Sequence, residues 1–201
     1  MAITCTVTAQ DTVKVKQLFH RAETDVASGN TSDAIKVYVD ILDLDANNYR
    51  AANALAGLYG HLHQYNNQIT WAKKALEINP KYGSAYITLG NAYGATANVL
   101  QAEENYRIAD NLMPNSPYPA YCLGLIEETQ GRARDAVLEY KRSIDRDSMF
   151  FDGYCGLAVC YATLQDYTTA QKYIDQALTI NSSSPKAIEI KRRIEDAIVN
   201  H

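Results

Sequence analysis

The sequence predicts an all-α fold, a right-handed α-solenoid of helix-turn-helix repeats, and three observations lead to this prediction. Small residues recur with a period of 34 positions along most of the chain, which is typical of stacked repeats. Within each period, apolar residues lie at the spacing of two short amphipathic helices. The composition, with 47% apolar and 21% charged residues, is that of a folded globular protein. One series of small residues at this period is Ala22, Ala56, Gly90, Gly124 and Ala158.

The chain begins with a segment outside the repeats, residues 1–14, for which we predict a flexible tail. Residues 2–9 are apolar or β-branched and lack the basic start of a secretory signal, so the chain as written is predicted to be cytoplasmic. An alternative stays open. If Met1 is not the true start, this segment is the remnant of a signal peptide that is cleaved after Ala9, and the protein is exported.

Five consecutive units of 34 residues follow the tail, and each is predicted to form two short helices. Such helices are marginal in isolation, and ordering each backbone residue costs about 1–2 kcal/mol, so neighbouring units must stack. Ser184 and Pro185 then form a helix start, and residues 185–201 are predicted to be a capping helix that covers the last unit. The predicted units are 15–48, 49–82, 83–116, 117–150 and 151–184.

This pattern resembles the tetratricopeptide repeat family, and the resemblance covers residues 15–184. The third unit is the most similar to the family's signature. In the second unit Gln68 occupies a place meant for a small residue, and in the fourth Glu127 replaces a tyrosine. We therefore expect looser or shifted packing in the second unit. The signature residues of the third unit are Tyr86, Leu89, Gly90, Tyr93, Ala102, Tyr106, Ala109 and Pro114.

The resemblance implies a non-enzymatic scaffold or adaptor that binds a peptide or helix of a partner protein in the concave groove of its first helices. Exposed aromatic and aliphatic side chains are suitable anchors for such a segment. The alternative function is structural, in which solenoids associate with one another as homo-oligomers. The groove positions of the family fall here on Arg50, Asn53, Ile87, Thr88, Asn91, Tyr118, Tyr121, Leu125, Asp152 and Val159.

The charges of these positions indicate the character of the partner. The second unit is the only basic one, so an acidic part of the ligand is expected near Arg50 and an apolar part over Tyr121 and Leu125. Family members that bind the acidic tails of Hsp70 or Hsp90 use a clamp of Lys, Asn and Arg. Of the clamp places only Asn91 matches, and Asp152 would repel such a tail. We expect a mixed acidic and apolar partner segment, and not a chaperone tail.

Enzymatic, metal-binding and nucleic-acid-binding functions have no clear signal in the sequence. It contains no phosphate-binding loop, nucleophile elbow or zinc-protease helix, so we expect no enzyme activity, cofactor or metal. The pI near 5.5 argues against a nucleic-acid partner, and no apolar run approaches the length of about 18 residues that a membrane-spanning helix needs. The cysteines are predicted to be reduced, and the alternative is a disulfide between Cys122 and Cys155 under oxidising conditions.

Overall fold

The computed structural model describes residues 9–199, and every regular element in that range is an α-helix. The all-α class predicted from the sequence is confirmed. Turns of three and four residues alternate between the helices, so the helices form successive pairs. The bounds are α1 Ala9–Ala27, α2 Thr31–Leu44, α3 Tyr49–His61, α4 Tyr65–Ile78, α5 Gly83–Ala95, α6 Val99–Leu112, α7 Pro117–Thr129, α8 Ala133–Arg146, α9 Phe151–Thr163, α10 Tyr167–Ile180 and α11 Pro185–Val199.

The chain divides into two compact parts, each longer than two of the 34-residue repeats. We call these parts unit 1 (described for residues 9–105) and unit 2 (described for residues 106–199). In unit 1, α1 to α5 pack each on the next, and α3 also contacts α5. In unit 2, α7 to α11 form the same succession, and α9 contacts both α7 and α11. The first helices α3 and α5 therefore lie side by side in unit 1, as do α7, α9 and α11 in unit 2.

The turn inside each helix pair contains one residue in the left-handed region of backbone space, always at the same place of the 34-residue period. Glycine adopts this conformation without steric cost, and Gly29 (φ 77°) and Gly131 (φ 73°) occupy two of the places. The remaining three carry side chains, for which the conformation is unfavourable. Packing of the helices therefore overrides the local preference. These three residues are His63 (φ 57°), Ala97 (φ 60°) and Gln165 (φ 62°).

The N-terminal helix extends further than the sequence predicts. Helix α1 begins at Ala9, so residues 9–14, which we placed in the flexible tail, are helical. Asp11 lies in the first turn, where a negative charge interacts favourably with the helix dipole, and the following Val15 is buried. Residues 1–8, with Cys5 and most of the predicted signal remnant, lie outside the described range.

Gln68 lies in the repeat 49–82, for which we expected looser or shifted packing, and a facing glycine accommodates it. Gln68 is buried, and its Nε2 atom donates a hydrogen bond to the Thr88 carbonyl oxygen over 3.1 Å. A Cβ atom at Gly60 would lie only 2.8 Å from the Gln68 amide. The glycine therefore provides the space that the larger side chain needs, and the side-chain amide has a partner for its buried donor.

The core of unit 2 is built around Tyr140, which is fully buried in α8. A Cβ atom at Gly124 would lie 2.6 Å from its ring, and one at Gly156 would lie 2.7 Å away. The two glycines thus allow α7 and α9 to approach the ring from both sides. The buried hydroxyl group donates a hydrogen bond to Glu128 Oε2 over 2.6 Å, so the polar end of the tyrosine is satisfied.

Candidate functional site

Two predicted binding residues lie on α3 in unit 1, and the structure gives them different surroundings. Arg50 is exposed, and its guanidinium carbon lies 5.6 Å from the centroid of the Phe19 ring, within the range of a cation–π contact. Asn53 is half-buried, and its Oδ1 atom has no hydrogen-bond partner among the described residues. A buried acceptor without a donor is unfavourable, so Asn53 stays a candidate contact for a polar group of a partner.

Three further predicted residues lie on α5, and one of them, Thr88, forms hydrogen bonds within the protein. Ile87 and Thr88 are half-buried, and Asn91 is exposed. Thr88 Oγ1 donates a hydrogen bond to the Ser84 carbonyl oxygen over 3.1 Å, and the Thr88 carbonyl oxygen accepts one from Gln68. The Thr88 hydroxyl therefore bonds within α5, and only its carbonyl oxygen links α5 to α4. Of the three predicted residues on this helix, Asn91 is the exposed one.

In unit 2, the two predicted tyrosines of α7 pack around Phe150. The ring centroid of Tyr118 lies 5.1 Å from that of Phe150, and the ring of Tyr121 lies 5.4 Å from it, both edge to face. Tyr118 remains 55% exposed, whereas Tyr121 is half-buried and burial raises the pKa of its hydroxyl. Tyr121 therefore packs mainly against its neighbours and is only partly accessible, whereas more than half of the Tyr118 side chain is exposed to solvent.

The predicted residues Leu125, Asp152 and Val159 line a cavity of about 100 Å³ together with Tyr121. Asp152 is not a free acid in this cavity, because its Oδ1 atom lies 2.7 Å from Nζ of Lys186 on α11. This pairing neutralises the charge that we expected to repel an acidic ligand. Leu125 stays 39% exposed, so an apolar side chain of a ligand can contact it.

A second cavity of about 270 Å³ adjoins the first, since both are lined by Val159 and by Ile190 of α11. It lies between α9 and α11, and most of the side chains that line it are aliphatic. We call the five aliphatic ones the α9–α11 surface. Thr163, Tyr167 and Arg193 complete the lining. The α9–α11 surface consists of Val159, Ala162, Ile190, Ile194 and Ala197.

Lys186, Ile190 and Arg193 are not among the predicted binding residues, because the sequence predicted only a capping role for α11. The signal that could have found them is the register of this helix. Helix α11 begins at Pro185, 34 residues after the start of α9 at Phe151, so it occupies the place of a further first helix. Its sixth and ninth residues, Ile190 and Arg193, correspond to groove positions of the preceding 34-residue repeats.

The three described thiols of unit 2 are buried and carry their protons. Cys122, Cys155 and Cys160 are free and buried, and burial raises the pKa of their thiols to about 12, about 11 and about 12, respectively. These thiols are protonated at neutral pH and are therefore poor nucleophiles. Residues 9–199 contain no group of three His, Cys, Asp or Glu side chains suited to a metal ion, and none of their helices combines the length and apolarity of a membrane span.

Comparison with protein-family models gives two matches to this chain. Both models are described as tetratricopeptide repeats, and they match residues 49–82 and 121–185. The matched ranges cover α3 and α4 in unit 1 and most of α7 through α10 in unit 2, including Leu125, Asp152 and Val159.

Known proteins are similar to parts or to most of the chain. Human Superkiller complex protein 3 is 27% identical over 122 residues, which are 57% of this chain but only 8% of the human protein. Anaphase-promoting complex subunit 3 of Schizosaccharomyces pombe is 31% identical over 104 residues, 50% of this chain and 14% of the yeast protein. The crystal structure of a thermophilic repeat protein from Thermus thermophilus superposes with a TM-score of 0.77 at 17% identity, over 92% of this chain and 99% of that one.

Proposed function

Since this chain belongs to the tetratricopeptide repeat family of α-solenoids, we propose that it is a non-enzymatic scaffold or adaptor. It binds a peptide or helix of a partner protein on the first helices of its repeats. The observation that carries the proposal is the pair of adjoining cavities on α7, α9 and α11, which share Val159 and Ile190. The proposed repeats keep the predicted bounds, five units over residues 15–184.

The surface has the character of a binding site for a short segment. Leu125, Val159 and Ile190 are accessible aliphatic side chains on neighbouring helices, and full burial of one such side chain contributes about 1.5–3 kcal/mol. A micromolar complex needs about 8 kcal/mol. Apolar anchors alone therefore do not suffice once the loss of translational freedom is included, and the segment must also form polar contacts at the rim.

The names of the relatives are consistent with a role in assembly. The two curated relatives described above are named as parts of complexes, although this chain spans only 8% and 14% of their lengths. For the present chain we propose the binding of a partner protein and assign it to neither of these complexes. The mixed partner expected from the sequence fits the apolar cavities. The tails of Hsp70 or Hsp90 stay disfavoured on the sequence alone, because only Asn91 matches the clamp of the chaperone-binding members.

Selection from a random displayed peptide library on the full chain tests this proposal, followed by affinity measurements with the enriched peptides. Leu125→Glu places a charge in the first cavity and should weaken binding by about tenfold or more. Leu138→Glu is the matched control, because Leu138 is a 61% exposed leucine on the second helix α8, and it should change the Kd by less than about twofold. Failure to enrich any peptide, or equal weakening by both variants, would contradict the proposal.

A second candidate function is self-association through α11. Ile188 and Ile198 are 51% and 42% exposed there, whereas Ala52 and Ala120, which correspond to Ile188 in earlier repeats, are buried. A second copy could cover these residues. Sedimentation velocity distinguishes the two candidates, because self-association predicts dimers that Ile188→Glu dissociates, and a monomer at all concentrations would contradict it.

A further inference from the structure

We infer that the partner segment places an aliphatic or aromatic side chain in the cavity between α9 and α11 and pairs an adjacent Asp or Glu with Arg193. This inference rests on the proposed function and specifies the chemistry of the ligand. Three observations support it, namely the size of the cavity, its lining, and the absence, within residues 9–199, of a carboxylate partner for Arg193.

The cavity suits one apolar side chain of a peptide. Its volume of about 270 Å³ is at the lower end of small-molecule pockets, which measure about 300–1,000 Å³. Its lining by the α9–α11 surface offers a polar ligand few hydrogen-bond partners, and an unpaired polar group there would be unfavourable. An aliphatic or aromatic side chain has neither problem, since it gains contacts on both helices.

Arg193 differs from the other basic residues of α11. Lys186 pairs with Asp152 at 2.7 Å, and Lys191 pairs with Asp175 at 2.8 Å. Arg192 contacts Glu189 at 2.8 Å and Asp196 at 3.0 Å. Among residues 9–199, no carboxylate lies within 4.0 Å of Arg193. The one unpaired cation of the described part of α11 is therefore the one that lines the cavity.

This arrangement favours an acidic residue next to the apolar anchor. A guanidinium group binds a carboxylate through two parallel hydrogen bonds, which fixes the orientation of the ligand as well as its charge. A lysine or arginine of the ligand at the same place would meet a like charge and be rejected. Glu189 and Asp196, each about one helical turn from Arg193, already contact Arg192, and Asp152 already contacts Lys186. Arg192 lowers the pKa of Glu189 through this contact, and Arg193 does so only through its charge. A carboxylate from the partner would therefore supply the direct ion pair that Arg193 lacks.

The peptides enriched on the full chain provide the test. We expect them to contain an apolar residue close to Asp or Glu, and we expect Arg193→Glu to raise their Kd by about tenfold or more. Replacing the acidic residue of the peptide with Lys should restore binding to the Arg193→Glu variant. Arg193→Gln should have an intermediate effect, and filling the cavity with Ala197→Phe should weaken every enriched peptide.

Arg134→Glu is the matched control, because Arg134 is exposed on α8 and, like Arg193, lacks an ion pair among residues 9–199. It should leave the Kd within about twofold. Enriched peptides without acidic residues, or an unchanged Kd for Arg193→Glu alongside weakened binding by Leu125→Glu, would overturn the inference and leave the proposed function standing. No enrichment, or no effect of Leu125→Glu, would overturn both.

Discussion

Units 1 and 2 are each built from helix pairs of the same kind. The side chains that are buried between the helices inside each unit differ. In unit 1, the amide of Gln68 fills the space beside Gly60 and hydrogen-bonds to the backbone of α5. In unit 2, the aromatic ring of Tyr140 lies between Gly124 and Gly156. The same backbone repeat therefore holds either a polar or an aromatic centre, and a glycine on the facing helix accommodates it in each case.

The two units share one kind of surface cavity. Each has a largely polar cavity at a turn, of about 430 Å³ beside Gln64, Asn66 and Asn67 in unit 1 and of about 410 Å³ beside Arg132 and Asp135 in unit 2. The two adjoining cavities of unit 2 lie on its first helices and share Val159 and Ile190. Repeat geometry positions the side chains, and the residue types at those positions determine which unit offers an apolar binding surface.

The largest expected effect comes from adding a methyl group beside Tyr140. Gly156→Ala would place Cβ 2.7 Å from the ring, and the ring is fully buried, so it has little room to move away. We expect the free energy of unfolding to fall by about 2–3 kcal/mol. Gly57→Ala in unit 1 is the matched control, since no atom lies within 4 Å of the new Cβ, and it should raise stability by about 0.5–1 kcal/mol.

Urea denaturation followed by circular dichroism measures both variants. A loss of stability in Gly57→Ala comparable to that in Gly156→Ala would show that the contact with Tyr140 is not the cause.

A second prediction concerns alkaline pH, because buried tyrosines and thiols are concentrated in unit 2. Burial raises the pKa of Tyr106, Tyr121 and Tyr140 and of three thiols there, whereas Tyr38 is the one such tyrosine or thiol in the described part of unit 1. The folded state keeps these protons when the unfolded chain loses them, from about pH 9 for thiols and about pH 10 for tyrosines. Stability is therefore complete below these values and falls as the pH rises.

Limited proteolysis at about pH 10.5, analysed by mass spectrometry, locates this loss. The first cuts should fall in unit 2, and first cuts within residues 9–105 would contradict the prediction. Tyr140→Phe should cost about 1–1.5 kcal/mol at neutral pH, because it removes the hydroxyl contact with Glu128, and the difference from wild type should shrink above pH 10. Tyr118→Phe, at an exposed tyrosine, is the control.

The smallest effect is expected at the ion pair between Lys186 and Asp152. Their side chains are 52% and 41% exposed, so solvent screens the interaction and Lys186→Met should cost no more than about 0.5 kcal/mol. Thermal unfolding at low and high salt measures this cost, which should decrease further at high salt. A loss of more than about 2 kcal/mol would show that the pair stabilises the contact between α9 and α11 as a buried interaction does.

The period of 34 residues predicted most of the fold, because small residues at fixed places allow only closely packed helix pairs. Helix α1 reached Ala9 rather than residue 15, since a helix can extend by a turn or two beyond the repeat pattern at an open end. The site was only partly predictable. Leu125 and Val159 follow from their repeat places, but the pairing of Asp152 with Lys186 and the unpaired state of Arg193 depend on contacts between helices that spacing alone does not specify.

One affinity measurement tests the central claim that unit 2 holds the partner segment. Val159 lines both cavities of unit 2, whereas Ile87 is a half-buried aliphatic residue at a predicted groove position of unit 1. For an enriched peptide, fluorescence anisotropy should show that Val159→Ala raises the Kd by about tenfold, as the loss of about 1.4 kcal/mol requires. Ile87→Ala should leave it within about twofold. An unchanged Kd for Val159→Ala together with weakened binding by Ile87→Ala would place the site in unit 1 and contradict the claim.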